Sequence, residues 1–477
     1  MLPLWEGWDE YAHFAFLQHW NDHGALPRAT DRISREIDES MRLAPLAREL
    51  RWIGPPYLIH DDWWSLPSAE RDARMRKLDS LPPSLAHQPA VEINGRPFVF
   101  YEAQQPPLYY WLAAPALRLA AGWPLRERVF LIRLIGVLFT SLAIPFTFLA
   151  ARNIFGASRA GLYSATCCAA LLAVAPGFLI NGARAANDSL AVGIAAILLW
   201  LLTREKTHWL TMGTMLGAAI LAKASLLVLL PILMLLRIRR HWKQTLQAVV
   251  LALAIGAWWY ARNVINGVPL TGWQESVPLR TLTRSAFQLI RTDRWMNGVQ
   301  AITKSFTWFG AWSFLTLRTW MYLVLEAFAF GGMLLGLVRR RRDTRPTDLR
   351  VPFVFTLSFA LAIAGGAAAY NAVHGIPGIP GWYLWPAGGA MAILIIAGLG
   401  RFSIVFAAML ALTDLFGVAA RMMPYYAGLA QWNHGSVSQF RDSAARLHVP
   451  GWLAVAWVIA TVAIPLLLLQ GRAKVRM

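Results

Sequence analysis

The stretch WDEYAHF near the start of the chain groups acids and an imidazole that could carry out proton transfer. Asp9 and His13 are four residues apart, which would put both side chains on one face of a helix. Asp9 and Glu10 are adjacent, so their side chains diverge and only one could reach a given reacting atom. Aromatic residues surround these acids, and apolar surroundings raise the pKa of a carboxyl group towards that of a general base. The pattern predicts a catalytic group of Asp9, Glu10 and His13, with a solvated acidic loop edge as the alternative.

A second motif, YEAQQPPLYYW, places polar residues directly before an apolar segment. Pro106 fixes its own φ and restrains Gln105, so Glu102 and Gln105 would be held in a defined geometry. We interpret both as candidate substrate-binding residues, while a rigid turn before an interfacial helix would explain the same pattern.

Several polar side chains interrupt or border apolar runs, and these complete the candidate site. Charge at bilayer depth costs roughly a few kcal/mol, so such residues are functional candidates by default. At the ends of helices, snorkelling to the headgroups is the alternative explanation. The candidate substrate-binding residues of this kind are Arg184, Asn187, Asp188, Lys223 and Arg262, together with Tyr383 in the span-end sequence GWYLWPAGG. Cations at helix ends would bind the phosphate of a membrane-embedded donor, and the acids would meet an acceptor hydroxyl group.

The composition predicts that an integral membrane protein positions these residues. Of 477 residues, 57% are hydrophobic and 15% are charged, with a mean hydropathy of +0.43. A soluble domain typically has about 25% charged residues. The net charge of +19 is only weak evidence for nucleic-acid binding. Most of the excess Lys and Arg falls in loops that the positive-inside rule expects to be basic. Cys167 and Cys168 are adjacent within an apolar run, so they indicate packing rather than a disulfide or a metal site.

Apolar periodicity predicts about eleven membrane spans and an all-α polytopic fold. The spans are expected near residues 128–151, 159–181, 186–202, 209–222, 224–236, 245–261, 319–337, 351–370, 383–399, 402–420 and 451–470.

The basic segments predict the orientation of this bundle. Residues 237–243, residues 339–350 and the C-terminal tail are rich in Lys and Arg, and even numbers of spans separate them. All three are therefore expected in the cytoplasm, and parity places residues 1–127 outside it. We predict a first domain over residues 1–127, with catalytic loops and interfacial helices. A second domain over residues 128–477 would be the bundle, with outer loops 262–318, 371–382 and 421–450.

Two features of residues 1–127 leave alternatives open. Residues 101–123 are apolar enough to suggest a span, but their prolines and Arg118 favour an interfacial helix. A large outer region with no apolar helix before it suggests that the true start lies upstream, whereas insertion through the first span is the alternative.

The ordered motifs resemble the GT-C glycosyltransferases, specifically family 39 and its bacterial relatives, which include protein O-mannosyltransferases and lipid A aminoarabinose transferases. The matching pieces are WDEYAHF, YEAQQPPLYYWLAAP, RLIGVLFTSLAIPFTFLAARNIFG, ANDSLAVG, LGAAILAKASLLVLLP, WWYARNVINGVPL, KSFTWFGAWSF and GWYLWPAGGAMAIL. They cover most of residues 5–400, and the closest likeness is to a bacterial branch with NDSLA and QPPLYY.

The resemblance implies transfer of a sugar from a polyprenyl-phosphate carrier to a glycan, lipid or protein at the outer face of a bacterial inner membrane. It implies that Asp9 is the general base, that the anomeric configuration is inverted, and that Lys223 and Arg262 hold the leaving phosphate. It implies no metal cofactor, although oligosaccharyltransferases of the same fold use a divalent ion. Two residues depart from the family pattern. Gln105 stands where relatives often have Lys or His, and Trp382 stands where they often have Arg.

Two other classes of protein remain as alternatives. A transporter or flippase would be expected to have inverted repeats and broken helices meeting at mid-membrane, and the sequence has no such symmetry. A non-catalytic partner in envelope assembly would be indicated if Asp9 lay far from Lys223 and Arg262.

Overall fold

The computed structural model describes residues 2–90, 99–100, 102–272, 277–339 and 348–476. Over these ranges the chain folds into helices joined by short connections, with isolated β-bridges in place of a sheet. The predicted all-α polytopic fold class is therefore confirmed. Most of the predicted basic loop 339–350 lies outside the described residues.

The N-terminal region precedes the bundle and consists of short helices. They are α1 (Glu10–His23), α2 (Arg35–Leu43), α3 (His60–Trp63), α4 (Ser68–Asp79) and α5 (Leu108–Leu119). Twelve residues of α5 extend about 18 Å, which is short of the roughly 30 Å of a hydrocarbon core. Helix α5 is thus shorter than a full span, and the interfacial position of residues 101–123 stays a prediction.

The remaining helices form the bundle and its connections. They are α6 (Leu125–Ser141), α7 (Ala143–Phe155), α8 (Arg159–Val174), α9 (Pro176–Gly182), α10 (Asp188–Leu202), α11 (Trp209–Ala222), α12 (Leu229–Ile265), α13 (Leu279–Arg291), α14 (Arg294–Thr307), α15 (Thr319–Arg339), α16 (Arg350–His374), α17 (Gly388–Leu399), α18 (Ser403–Gly417), α19 (Met423–Tyr426), α20 (Phe440–Arg446) and α21 (Gly451–Arg476).

All eleven predicted spans overlap helical segments, although length and hydropathy qualify fewer of them as crossings. In the described part of the chain, six helical runs are long and apolar enough to cross a membrane, and α8 with α9 would add a seventh despite a 61° bend. The apolar helices α10 and α11 are shorter, at 15 and 14 residues. The chain is thus a multi-pass membrane protein, and eleven crossings stays a prediction.

Two of the long helical runs fold back on themselves. Residues 224–265 would extend about 63 Å if straight. However, Lys223 contacts Asn187, which binds Gln105, while Trp259 binds the carbonyl of the neighbouring Gln104. Both ends of the run therefore lie together, and the reversal falls at His241, whose φ of −139° is not helical. The prediction of a loop at residues 237–243 was wrong, because all of these residues except His241 are helical.

Residues 381–426 reverse in the same way. Trp382 stacks on Trp8, and the Tyr426 hydroxyl group donates to Glu6, so both ends of this run meet the N-terminal region. The turn falls at Gly400, where φ is 50°, between α17 and α18. The predicted break between spans 383–399 and 402–420 matches this position.

Candidate active site

The residue directly before α1 is Asp9, and it has a left-handed backbone conformation. Its φ is 54° and its ψ is 15°. Trp5, four residues earlier, also has a positive φ, of 59°. Aspartate tolerates this region better than most residues other than glycine, but the conformation persists only where neighbouring contacts enforce it. No hydrogen bond or ion pair to a described residue engages the Asp9 carboxylate.

Glu10 supplies contacts that hold the start of α1. Its carboxylate is buried and accepts two hydrogen bonds from Arg133 of α6, from Nε at 2.7 Å and from Nη2 at 2.5 Å. It also accepts from the backbone N–H of Ala185 at 3.0 Å. Glu10 thereby ties Asp9 to the turn between α9 and α10. Its own role in catalysis stays a prediction, because both of its oxygen atoms already have partners.

Arg184, Asp188 and Lys223 form a buried charge triad beside this turn. Asp188 Oδ2 lies 2.8 Å from Arg184 Nη2 and 2.8 Å from Lys223 Nζ. Arg184 also donates to the carbonyl of Trp8 at 3.0 Å and lies over its ring. Two cations share one carboxylate, so the triad has a surplus of one positive charge next to Asp9.

The other predicted polar residues surround the triad. The Asn187 side chain accepts from Lys223 Nζ at 3.1 Å and donates to the Gln105 oxygen at 2.8 Å. The backbone N–H of Gln105 donates to the carbonyl of the buried Glu102 at 3.1 Å. Lys223 Nζ lies 5.1 Å from the ring centroid of Tyr383, a geometry typical of a cation–π contact.

The enclosed position of the site shifts the pKa of its acids and of its histidine. Burial raises the pKa of Asp9 to about 6, although the positive charges of Arg184 and Lys223 oppose this shift. Burial, and then the charge of Asp9, raise the pKa of Glu102 to about 8. Burial lowers the pKa of His13 well below its usual value, and His13 Nδ1 lies 2.7 Å from the Tyr110 hydroxyl oxygen. At neutral pH, Asp9 is therefore ionised while Glu102 and His13 are neutral.

Arg262 lies apart from this group. Its Nη2 donates to the carbonyl of Pro27 at 3.0 Å, and its guanidinium group lies over the ring of Trp259. The charges that act on it are those of Arg28 and Asp31. The role of Arg262 as a phosphate ligand stays a prediction. Among the described residues, Arg262 makes no contact with the charge triad that would favour this role.

Sequence reasoning missed three residues that position the site. Arg133 stands inside the apolar run of α6, and such a buried charge was a usable signal. Trp8 stacks on Trp382 with ring centroids 4.1 Å apart, and this stack occupies the position where the family pattern often has Arg. Glu6 contacts segments more than 300 residues away, and no local pattern reports such contacts.

In the described part of the chain, His, Cys, Asp and Glu form no group of three or more able to hold a metal ion.

The fold and this site define a polytopic membrane protein with a buried acid and cation cluster at one end of its bundle. Residues 104–260, about a third of the chain, match the sequence model of the family described as dolichyl-phosphate-mannose-protein mannosyltransferase. The match confirms the resemblance to GT-C glycosyltransferases. No curated protein sequence matches the chain.

Two crystal structures of ArnT from Cupriavidus metallidurans are similar in fold. The form bound to undecaprenyl phosphate is 18% identical, with a TM-score of 0.43, and the similarity covers 78% of this chain. The apo form is 17% identical, with a TM-score of 0.41 over 79% of this chain. The chain spans 63% and 64% of the length of those proteins.

Proposed function

We propose that this chain is a membrane glycosyltransferase that uses a polyprenyl-phosphate sugar donor and a hydroxyl acceptor. The acceptor would be a glycan, lipid or protein at the extracytoplasmic face of a bacterial inner membrane. The observation that carries the proposal is the Asp9 carboxylate, which pairs with no described residue and lies beside the two cations of the charge triad. A glycosyl phosphodiester carries one negative charge, and Arg184 and Lys223 would be its electrostatic partners. The family match over residues 104–260 supports the same class of donor.

In the proposed reaction, Asp9 accepts the proton of the acceptor hydroxyl group as its oxygen attacks the anomeric carbon. The bond from that carbon to the phosphate oxygen breaks, and polyprenyl phosphate leaves with the electron pair. A single displacement of this kind inverts the anomeric configuration. Lys223 and Arg184 stabilise the additional charge on the departing phosphate, in the way that preorganised cations lower such barriers.

The remaining predicted residues act on position and binding. Glu10 and His13 anchor α1 through Arg133 and Tyr110 and so hold the Asp9 backbone in its left-handed conformation. Glu102, neutral at pH 7, is able to donate a hydrogen bond to sugar or phosphate oxygen, since its Oε2 is buried without a described partner.

Replacing Asp9 with Asn tests the proposal, because Asn keeps the shape and cannot accept the proton. We expect transfer to fall by at least about 10³-fold, within the range for loss of a catalytic proton acceptor. Released polyprenyl phosphate would be measured by mass spectrometry with a panel of undecaprenyl-phosphate-linked hexoses and pentoses.

The matched control is Asp22→Asn, a carboxylate at the far end of the same helix that pairs with His87. It should retain transfer within about threefold. Normal turnover of the Asp9→Asn variant would contradict the assignment of Asp9 as the base.

A further inference from the structure

Helix α13 presents an apolar and cationic surface that the proposed reaction does not use. The exposed fractions of Leu279, Phe287 and Ile290 are 75%, 68% and 67%, so these three large apolar side chains of one helix face away from the protein. At about 100° per residue, these three lie within about 80° of one another around the helix. Apolar side chains continue onto α14, where Trp295 and Met296 are also exposed.

Three arginines border this apolar face. Arg280, Arg284 and Arg291 lie within about 40° of one another on α13, and we name them the arginine stripe. All three are exposed. Helix α13 contains no acidic residue, and no carboxylate of the described residues pairs with the stripe. An apolar face flanked by a row of cations is typical of helices that lie in the interface of an anionic membrane.

Contacts with α16 fix which way α13 faces. Ser285, on the buried side of α13, donates to the carbonyl of Ala368 at 2.7 Å and accepts from the Asn371 side chain at 2.9 Å. Leu289 is buried on the same side. These partners lie within the last two turns of α16, which ends at His374. Helix α13 is thus fixed at the boundary of a membrane-spanning helix, with its apolar face and its stripe turned away from the protein.

We propose that the arginine stripe binds the anionic headgroups of bilayer phospholipids while Leu279, Phe287 and Ile290 enter the adjoining acyl layer. The occupant follows from charge complementarity, because three exposed cations at headgroup level that pair with no described carboxylate favour a negatively charged surface. Arginine also matches phosphate geometry through two parallel hydrogen bonds. The bound lipid stabilises the connection between α12 and α15 at the end of the bundle that carries the candidate active site.

Native mass spectrometry of the full chain in detergent tests this proposal, with added phosphatidylglycerol or phosphatidylcholine as the probe. We expect the R280Q/R284Q/R291Q variant to bind phosphatidylglycerol at least tenfold more weakly than the unaltered chain. Each arginine near an anionic surface contributes roughly a fivefold gain in affinity. Binding of phosphatidylcholine should not change.

Two further variants control for position and for folding. R76Q/K77Q removes exposed cations from the polar helix α4 and should leave phosphatidylglycerol binding unchanged. R280K/R284K/R291K retains the charges and should bind within about threefold of the unaltered chain. Equal phosphatidylglycerol binding by the glutamine variant, or equal losses of both lipids, would overturn the proposal.

Discussion

Lys223 and Arg262 look alike in the sequence, since both are cations at the ends of apolar helices. Their surroundings in the fold differ. Lys223 shares Asp188 with Arg184 and lies over Tyr383, whereas Arg262 contacts Pro27 and Trp259. Only Lys223 therefore belongs to the group that faces Asp9.

This difference predicts unequal effects of removing the two charges. Lys223→Gln should lower kcat by about 10²-fold, as loss of one preorganised transition-state donor does. Arg262→Gln should change kcat/KM by less than about threefold. Steady-state kinetics with the same donor would compare the two variants. Equal losses of activity in both would indicate that Arg262 also binds the phosphate.

The raised pKa of Asp9 predicts the acidic limb of the pH profile. The carboxylate must be ionised to accept a proton, so activity is present above the pKa and is lost as the pH falls through about 6. We expect kcat/KM to fall about tenfold for each pH unit below that value. An aspartate of ordinary pKa, about 3.9, would delay this fall by roughly two units. A flat rate–pH profile between pH 5 and 7 would show that Asp9 is not the titrating base.

At the scale of elements, the loop before α1 is clamped by two distant segments. The carboxylate of Glu6 accepts from the backbone N–H of Ser313 at 2.7 Å and from the hydroxyl of Tyr426 at 2.8 Å. The carbonyl of Glu6 accepts from the backbone N–H of Trp312. These bonds, with those of Glu10, enforce the left-handed conformation at Asp9.

Loosening this clamp should affect catalysis more than binding. Tyr426→Phe removes one charge-assisted hydrogen bond from Glu6, and we expect kcat to fall about tenfold with KM within about twofold. Tyr425→Phe is the matched control, because its hydroxyl group is not bonded to Glu6. A change in KM alone would indicate that Tyr426 contacts substrate and does not position Asp9.

At the scale of the whole molecule, four segments of the bundle meet the N-terminal region at one end. The turn at residues 183–187 and the segments around residues 259, 312 and 426 each contact residues 6–105. At the opposite end, Arg350 contacts Leu235 and Arg472 contacts Arg401. The described residues at the borders of the predicted cytoplasmic segments thus lie away from the site.

Cysteine labelling tests the predicted orientation of these two ends. Cys167 and Cys168 are buried, so the unaltered chain should give little background. A membrane-impermeant maleimide should label Ser80→Cys in cells with a permeabilised outer membrane. Lys243→Cys should be labelled only after lysis. The reverse pattern would place the candidate site in the cytoplasm.

Sequence alone predicted most of the helical segments and most of the polar residues that meet at the site. Lys223, Arg184 and Asp188 were identifiable because a charged side chain in an apolar run raises the free energy of membrane insertion, so such residues are candidates for a function. Their pairing could not be predicted, since it depends on how α9, α10 and α11 end beside one another. The Glu6 contact with Tyr426 joins positions 420 residues apart, beyond the reach of any local periodicity.

The clamp on Glu6 also has a consequence for biosynthesis. Residues 6–10 are translated well before their partners at Ser313 and Tyr426. Until then, the nascent chain lacks contacts that enforce the backbone conformation at Asp9. The loop that carries Asp9 is thus made before the segments that complete its contacts. Translation products that stop before residue 426 would lack the hydrogen bond from Tyr426 to Glu6.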